Sequence, residues 1–338
     1  MQKLTCLLLL VIFSLSFARN AQGTRLVTYS VYNEIRAGAI EGTYVVDLHR
    51  AYAFYLFNAL KAGSRADDSL VPSTLQGVLE GGDAAIEALG KTLEFVRQLL
   101  GDPVEIDRLN AAGVLKELKR VSLQTPLPNP PQILAIGLNY KSHAAEVGRK
   151  LPEYLEVFSK VCLPIGTGET IRVPHSVKQP DYEGELAVVI GKPARNVLKE
   201  RALEFVAGYM IFNDVSARDI QLRTSQWVLG KSVDTFAVAG PYLVLKDEIK
   251  NPQKLELKTS IGPETLQRAN TSDMVFSVAE IIVEISQFLT LQPGTIITTG
   301  TPAGVGAART PQRWLRNGET VRVEIEGLGT LENPVIQE

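Results

Sequence analysis

A series of short apolar runs, bounded by polar or turn-forming residues, recurs along the chain and predicts a β-rich fold. The run at residues 186–190 is typical of a strand that is buried on both faces. A second such run covers residues 205–212. Apolar and polar positions alternate at residues 255–259 and at 321–325, and this pattern predicts strands with one exposed face.

Helical spacing and proline content divide the chain. Residues 84–100 carry apolar side chains at helical intervals, with Asp83 as the predicted N-cap. Residues 125–131 hold four prolines, which exclude a helix or an inner strand. We therefore predict a small N-terminal α+β domain at residues 24–125 and a larger domain at 126–338. The expected fold class is α+β, rich in β-structure.

Two carboxylates stand at the entrance to the first apolar run. Glu183 and Glu185 are two residues apart, so in a strand they point to the same face. Asp214 ends the second run and becomes a third neighbour if the two strands are adjacent. Carboxylate oxygens with no cysteine nearby favour a hard divalent cation, such as Mg²⁺, Mn²⁺ or Ca²⁺. The alternative that spacing leaves open is a strand edge with two glutamates facing water.

A second group of candidate residues follows the strand predicted at residues 133–137. His143 and Glu146 are three apart, so on a helical turn they share a face and can touch. A carboxylate bonded to an imidazole orients the ring and raises its basicity, which suits a general base. The alternative is an incidental pair on a surface turn. Arg218 and Lys231 are cations available to hold an acidic substrate, although either is equally well an ordinary surface residue.

The N-terminus has the pattern of a secretory signal peptide. Lys3 gives a positive start, residues 4–17 are mostly apolar, and small residues near Ala18 provide a cleavage point. We therefore expect residues 1–23 to be removed and the protein to be exported, to the periplasm or outside the cell. An uncleaved anchor is the alternative, although the run is short for a membrane span. After cleavage we expect no transmembrane span.

Composition excludes one class of binding partner and one kind of covalent cross-link. The 338 residues carry a formal charge of −2 and no basic run, so we expect no binding to nucleic acid. Of the two cysteines, Cys6 lies in the predicted signal peptide, which leaves Cys162 alone in the mature chain. An intramolecular disulfide is then excluded, and a lone cysteine in an apolar setting is more often a core residue than a nucleophile.

From about Pro131 onward the chain resembles the fumarylacetoacetate hydrolase family. Six motifs carry the resemblance, in the family's order and over about two hundred residues. They are GLNY followed by His143 and Glu146 (137–146), YEGELAVVIGK (182–192), NDVSARD followed by Gln221 (213–221), GKS (230–232), NTSDMVFS (270–277) and GTPAGVG (300–306).

The resemblance implies a fold and a site. The fold is the family's mixed β-sandwich roll, usually a homodimer, and the residues before Pro126 are similar to the smaller N-terminal domain of one bacterial branch. The implied roles are metal binding by Glu183, Glu185 and Asp214, catalysis by His143, Glu146 and Lys231, and substrate binding by Arg218, Gln221 and Thr301. Lys231 and the loop at residues 300–306 would also stabilise developing negative charge.

The resemblance further implies an activity. We expect a divalent-metal-dependent hydrolase or lyase that cleaves a C–C bond in a small oxo-acid or 1,3-dicarbonyl, with the His143–Glu146 pair activating water. A second hypothesis is an isomerase or decarboxylase that uses the same metal site. A third is an exported binding protein without catalysis, although a pure binding protein has no need of an oriented base.

Overall fold

The apolar run after Glu185 forms a strand, Gly184–Ile190, in which all seven residues are buried. The burial follows from its place in the molecule, because a strand pairs along each of its edges and packed side chains cover both of its faces. This computed structural model describes residues 23–31, 34–61 and 68–338. Within them strands outnumber helices, which confirms the predicted β-rich α+β class.

Strands and helices are numbered separately, each in chain order. The strands are β1 (Arg25–Val31), β2 (Glu34–Glu41), β3 (Tyr44–Asp47), β4 (Leu115–Glu117), β5 (Ser122–Gln124), β6 (Ile133–Gly137), β7 (Glu156–Ser159), β8 (Ile171–Val173), β9 (Pro180–Asp181), β10 (Gly184–Ile190), β11 (Val206–Asp214), β12 (Ser216–Ala217), β13 (Ala237–Leu245), β14 (Glu256–Ile261), β15 (Glu264–Asn270), β16 (Ile296–Thr298), β17 (Thr320–Ile325) and β18 (Gly329–Gln337). The helices are α1 (Leu48–Asn58), α2 (Leu75–Glu80), α3 (Gly82–Leu99), α4 (Pro103–Ala111), α5 (Lys141–Glu146), α6 (Arg218–Gln221), α7 (Val228–Lys231) and α8 (Val278–Phe288).

The strands form two main sheets. Within the described residues the larger sheet has eleven strands in the order β4-β3-β2-β1-β13-β11-β10-β16-β6-β7, with β5 paired to β1. Its neighbours run antiparallel except β16 and β6, which run parallel. The smaller sheet has the order β15-β14-β17-β18-β8, and the short strands β9 and β12 pair separately. This mixture of directions makes the larger sheet a mixed sheet.

Two hydrophobic cores lie on the two faces of the larger sheet. Leu186 and Val188 belong to the first core, which also holds Leu257 and other side chains of the smaller sheet. Ala187 and Val189 belong to the second core, together with side chains of α1, α2 and α3. Successive side chains of a strand point to opposite faces, so the single apolar run in β10 supplies both cores. The result is a β-sandwich with a layer of helices on its outer face.

The residues before the proline-rich segment build onto the same sheet. β1 pairs with β13, with Leu26 opposite Leu243, and both side chains lie in the second core. The N-terminal strands therefore continue a sheet to which the rest of the chain also contributes. The division into two domains at residue 126 stays a prediction.

Two sequence-based expectations concern the N-terminal part of the chain. The helix α3 begins at Gly82 with Gly81 as its N-cap, so the prediction of Asp83 as N-cap is wrong by two residues. Asp83 lies instead in the first turn, where its Oδ2 is 2.6 Å from Nζ of Lys192 and where a negative charge favours a helix. The predicted signal peptide falls on residues 1–22, outside the described residues, and on Gly23.

No helix in the described part of the chain combines the length and the apolar character needed to cross a bilayer.

The contact between the N-terminal strands and the central strands can be tested by mutation. Leu243→Ala removes a fully buried side chain at the β1–β13 pairing, and we expect it to lower the free energy of unfolding by about 2–5 kcal/mol. Urea unfolding would measure the change. Leu198→Ala is the matched control, because Leu198 is exposed, and it should change stability by less than about 0.5 kcal/mol. Equal losses for the two variants would contradict this account of the core.

Candidate metal and active site

Three carboxylates meet where β10 and β11 lie side by side. The antiparallel register places Gly184 opposite Asn213, which brings the entrance of one strand to the end of the other. Glu183, Glu185 and Asp214 each offer an oxygen within 4.8 Å of the others, and all three side chains are buried. The two strands are therefore adjacent, which is the condition under which Asp214 joins the two glutamates. The alternative of two glutamates facing water is excluded by their burial.

Gly184 between the two glutamates allows this approach. A Cβ atom at this position would lie 2.2 Å from Oγ1 of Thr259 in the smaller sheet, so any larger residue would force the sheets apart. The absence of a side chain therefore lets β14 pack close to the strand that carries the carboxylates.

The cluster fits a divalent cation. Thr298 Oγ1 and the Gly300 N–H, the latter at 2.7 Å, both donate to Oε2 of Glu185. Burial raises the pKa of Glu185 well above its usual range, and the carboxylates of Asp214 and Glu183 raise it further. A cation among these oxygens would remove that penalty, and an all-oxygen donor set suits Mg²⁺, Mn²⁺ or Ca²⁺.

Two buried lysines contact the same cluster. Lys231 Nζ donates to Glu183 and, at 2.7 Å, to Oδ2 of Asp214. Lys160 Nζ donates to Oδ1 of Asp214 and, at 3.2 Å, to the carbonyl oxygen of Val215. Lys231 was a predicted site residue, but Lys160 was missed, because an isolated lysine after a short strand carries no local signal.

A second missed residue, Asp181, accepts a hydrogen bond from Arg218, which also contacts the cluster. Each of the three nitrogens of Arg218 donates to a protein acceptor: Nε to Asp181 at 2.9 Å, Nη1 to Gln221 at 3.0 Å, and Nη2 to Glu183. Burial of Glu183 opposes ionisation, but Arg218 and Lys231 hold its pKa below the usual range. Asp181 lies within the PDYEGE stretch, so its motif position was the available signal.

Three glycine N–H groups of the loop after β16 donate to the protein's own carboxylates. The Gly300 N–H donates to Glu185, the Gly304 N–H to Oε1 of Glu146 at 2.7 Å, and the Gly306 N–H to Oδ1 of Asp181 at 2.7 Å. These three donors are therefore not available to a substrate oxyanion. The expectation that the loop stabilises negative charge on a substrate stays a prediction for its other N–H groups. The loop orients acidic side chains.

His143 and Glu146 form the expected pair on α5. Nδ1 of His143 lies 3.2 Å from Oε2 of Glu146, and the other oxygen of Glu146 accepts from the loop. When Nδ1–H donates to this carboxylate, Nε2 is the ring nitrogen that can accept a proton. The alternative of an incidental surface pair is excluded, because His143 is buried.

A cavity of about 260 Å³ unites these groups. All nine predicted site residues except Glu146 line it, and Glu146 contacts His143 instead. Its apolar wall includes Ile136, Phe158, Leu222 and Trp227.

Not every predicted substrate residue has a free polar group. Thr301 Oγ1 donates to the carbonyl oxygen of Gly184 at 3.0 Å and accepts from Gln267 at 2.7 Å. Thr301 therefore supports the strand that carries the glutamates. Gln221 reaches the cavity because α6 packs tightly on α7, where a Cβ on Gly230 would lie 2.4 Å from the backbone nitrogen of Gln221.

Comparison with known proteins identifies the family. The model of the fumarylacetoacetate (FAA) hydrolase C-terminal domain matches residues 132–336. The chain belongs to the fumarylacetoacetate hydrolase family. A fumarylacetoacetate hydrolase from the psychrophile Exiguobacterium antarcticum superposes with a TM-score of 0.69 at 30% identity, over 93% of this chain and 100% of that chain. The predicted family fold is thereby confirmed.

Curated relatives of the family are enzymes. The mitochondrial oxaloacetate tautomerase fahd2 of Xenopus laevis is 38% identical over 274 residues, covering 80% of this chain and 81% of the relative. The oxaloacetate tautomerase YisK of Bacillus subtilis is 44% identical over 223 residues, covering 64% of this chain and 74% of the relative. These similarities support the prediction that the protein is an enzyme. Both relatives are tautomerases, whereas the sequence analysis favoured a hydrolase or lyase.

The prediction of an exported protein is wrong. The Xenopus relative, similar over 80% of this chain, is a mitochondrial protein. The prediction depended on composition alone, namely an apolar run behind a basic residue. The expectation of a homodimer stays a prediction.

Metal binding by the carboxylate cluster can be tested directly. Glu185→Gln removes one of three negative charges while leaving both lysine contacts to Asp214 in place, so we expect Mg²⁺ affinity to fall by about tenfold or more. Isothermal titration of the purified protein with Mg²⁺ would measure it. Asp234→Asn is the control, since Asp234 lies outside the cluster. Unchanged affinity in Glu185→Gln would exclude the cluster as the metal site.

Proposed function

We propose that this chain is a divalent-metal-dependent tautomerase of a small 2-oxo acid. The observation that carries the proposal is that the buried carboxylate cluster and His143 line one cavity. The two relatives described above, both oxaloacetate tautomerases, support the reaction type. Tautomerisation moves one proton between the C2 oxygen and C3 and breaks no bond between heavy atoms. It requires a base and a stabilised enolate but no attacking water.

Glu183, Glu185 and Asp214 would hold the cation, and Mg²⁺, Mn²⁺ or Ca²⁺ suits these oxygen ligands. When bound, a divalent cation polarises the 2-oxo group and favours the negative charge of the enolate. Arg218 acts through Glu183 and Asp181, which it holds in position, rather than through its own contact with substrate.

His143 moves the proton. Glu146 accepts a hydrogen bond from the Nδ1–H group of the ring, so Nε2 is the atom that takes a proton from the substrate and returns it. The Gly304 N–H fixes Glu146 in turn, which holds the imidazole in one orientation. Such a base accelerates a proton transfer by about 10²–10⁴-fold.

Lys231 and Gln221 are the polar groups that we propose for substrate contact. An ammonium group has three N–H donors, and two of those on Lys231 go to Glu183 and Asp214. The third remains for an oxygen of the bound acid. Gln221 uses its Oε1 to accept from Arg218 and also lines the cavity, which leaves its amide N–H groups as donors.

Hydrolysis of a C–C bond is the second candidate function. The apolar wall formed by Ile136, Phe158, Leu222 and Trp227 favours it, because such a wall would accommodate the acyl chain of an acylpyruvate. The structural relative from Exiguobacterium antarcticum is a hydrolase. In that reaction His143 would take its proton from water instead of from the substrate.

The reaction type is decided by counting products. Purified protein with Mg²⁺ should speed the loss of enol absorbance from freshly dissolved oxaloacetate and leave one compound, the keto acid, by NMR. Excess EDTA should abolish the acceleration, because the enolate loses its counter-ion. Formation of two products from an acylpyruvate, with no effect on oxaloacetate, would favour the hydrolase. Full activity in EDTA, with no metal by elemental analysis, would contradict the metal-dependent mechanism.

The roles of metal ligand and base can be separated. His143→Ala leaves the three carboxylates intact, so we expect Mg²⁺ to bind as in the wild type while kcat falls by about 10²–10⁴-fold. Glu146→Gln should lower kcat by a smaller factor, because the imidazole remains but lacks its orienting anion. Calorimetry and steady-state kinetics on the same preparations would measure both effects. If His143→Ala lost Mg²⁺ binding as Glu185→Gln does, His143 would be a ligand or a structural residue.

A further inference from the structure

The cations that line the cavity differ in how far the protein itself uses them. In the described chain the arginine and lysine side chains on the cavity wall are Arg149, Arg218 and Lys231. All three nitrogens of Arg218 donate to buried acceptors, and Lys231 bridges two carboxylates of the cluster. Within the described residues the guanidinium of Arg149 makes one ion pair, from Nη2 to Oε1 of Glu156 at 3.0 Å. It is therefore the cavity cation with the most donors left for a ligand.

Arg149 is also held in a fixed relation to the proposed base. It lies just beyond α5, and its backbone N–H donates to the carbonyl oxygen of Ala144 at 2.9 Å, closing the end of the helix that carries His143. Gly148 makes this turn with a φ of +67°, a conformation that favours glycine. A ligand bound by Arg149 is thus positioned relative to the imidazole through one short helix.

The ion pair of Arg149 is weak enough to be replaced. The side chains of Arg149 and Glu156 are 54% and 30% exposed, and an ion pair in that setting contributes little to stability. A carboxylate of a ligand in the cavity can accept two parallel N–H bonds from the guanidinium. Glu156 lies at the start of β7, opposite Gly137 of the cavity wall, so it is the acceptor that a ligand would displace.

We propose that Arg149 binds the second carboxylate of the substrate and so selects 2-oxo-dicarboxylates over 2-oxo-monocarboxylates. The inference rests on the proposed function, in which the acidic cluster would hold the cation that polarises the 2-oxo group and Lys231 donates to an oxygen of the bound acid. The acidic cluster and Asp181 already face Lys160, Lys231 and Arg218, so a second substrate carboxylate needs a further cation. Arg149 is a specificity residue in this account, not a base.

The test compares two ligands that differ at one end. Oxaloacetate and 2-oxobutanoate have the same four-carbon chain, with a carboxylate in the first where the second has a methyl group. Their affinities for the full-length protein with Mg²⁺ would be measured by calorimetry, and tautomerase kinetics would be recorded beside them. We expect the wild type to bind oxaloacetate about tenfold more tightly than 2-oxobutanoate.

Arg149→Met should abolish this preference by weakening the binding of oxaloacetate alone. Arg149→Lys should keep part of the preference, since lysine retains the charge but not the planar pair of donors. Glu156→Gln should strengthen the binding of oxaloacetate and leave the binding of 2-oxobutanoate unchanged, because the variant removes the carboxylate that competes for Arg149. Lys150→Met is the matched control: it removes the neighbouring exposed cation, which does not line the cavity, and should leave the preference intact.

The outcomes separate this inference from the proposed function. Suppose that the wild type turns over substrate but Arg149→Met weakens the binding of both ligands equally, or changes the binding of neither. Arg149 is then not the specificity residue. The same conclusion holds if Lys150→Met has the effect of Arg149→Met, because a general loss of positive charge would then explain both. If the binding preference depends on Arg149 as expected but no tautomerisation is catalysed, the inference stands and the proposed reaction is overturned. Unfolding of Arg149→Met would be recognised by circular dichroism, and Glu156→Gln alone would then decide.

Discussion

The central constraint in this protein is the burial of three carboxylates at the end of one pair of strands. Anions so close together repel one another, and removal from water adds a cost that a folded chain must offset with cations and N–H donors. Lys231 and Lys160 supply positive charge to Asp214, and Arg218 supplies it to Glu183. Glu185 has hydroxyl and backbone donors only, and the raised pKa there marks the point where a metal cation would stabilise the site most.

The surrounding architecture follows from this arrangement. β10 must be inside the sheet to bury its carboxylates, and its apolar side chains then face a packed core on each side. The loop at residues 300–306 runs past the entrance of the strand, where its N–H groups donate to Glu185, Glu146 and Asp181. One loop therefore joins the cluster, the histidine pair and the arginine network. A small shift of this loop would disturb all three at once.

The choice between reactions depends on the cavity wall more than on the cluster. A tautomerase and a C–C hydrolase of this family can share the cation site and the base, since both reactions pass through a stabilised enolate. They differ in what fills the rest of the cavity. Arg149 at one part of the wall favours a second carboxylate, whereas Phe158 and Trp227 at another favour an apolar chain. In the proposed mechanism the substrate would therefore be selected by side chains that take no part in the proton transfer.

The sequence by itself determined the features that depend on near neighbours along the chain. A strand's alternation predicts Glu183 and Glu185 on one face, and a helical turn allows His143 to touch Glu146. Spacing therefore indicated both pairs, while it left a solvent-exposed alternative open for each. The family and its sandwich fold followed from motifs in a fixed order. The N-terminal apolar run led to a wrong prediction of export, because that prediction depended on composition alone.

Only the tertiary structure decided which distant groups meet. Lys160 and Asp214 are 54 positions apart, and nothing local to either residue indicates that they touch. Asp181 meets the Gly306 N–H across 125 positions, so the sequence did not indicate that N–H groups of this loop donate to the protein's own carboxylates. The packing of two sheets sets these contacts, and a buried charge is satisfied by whichever partner the fold brings within reach. Spacing along the chain does not contain that information.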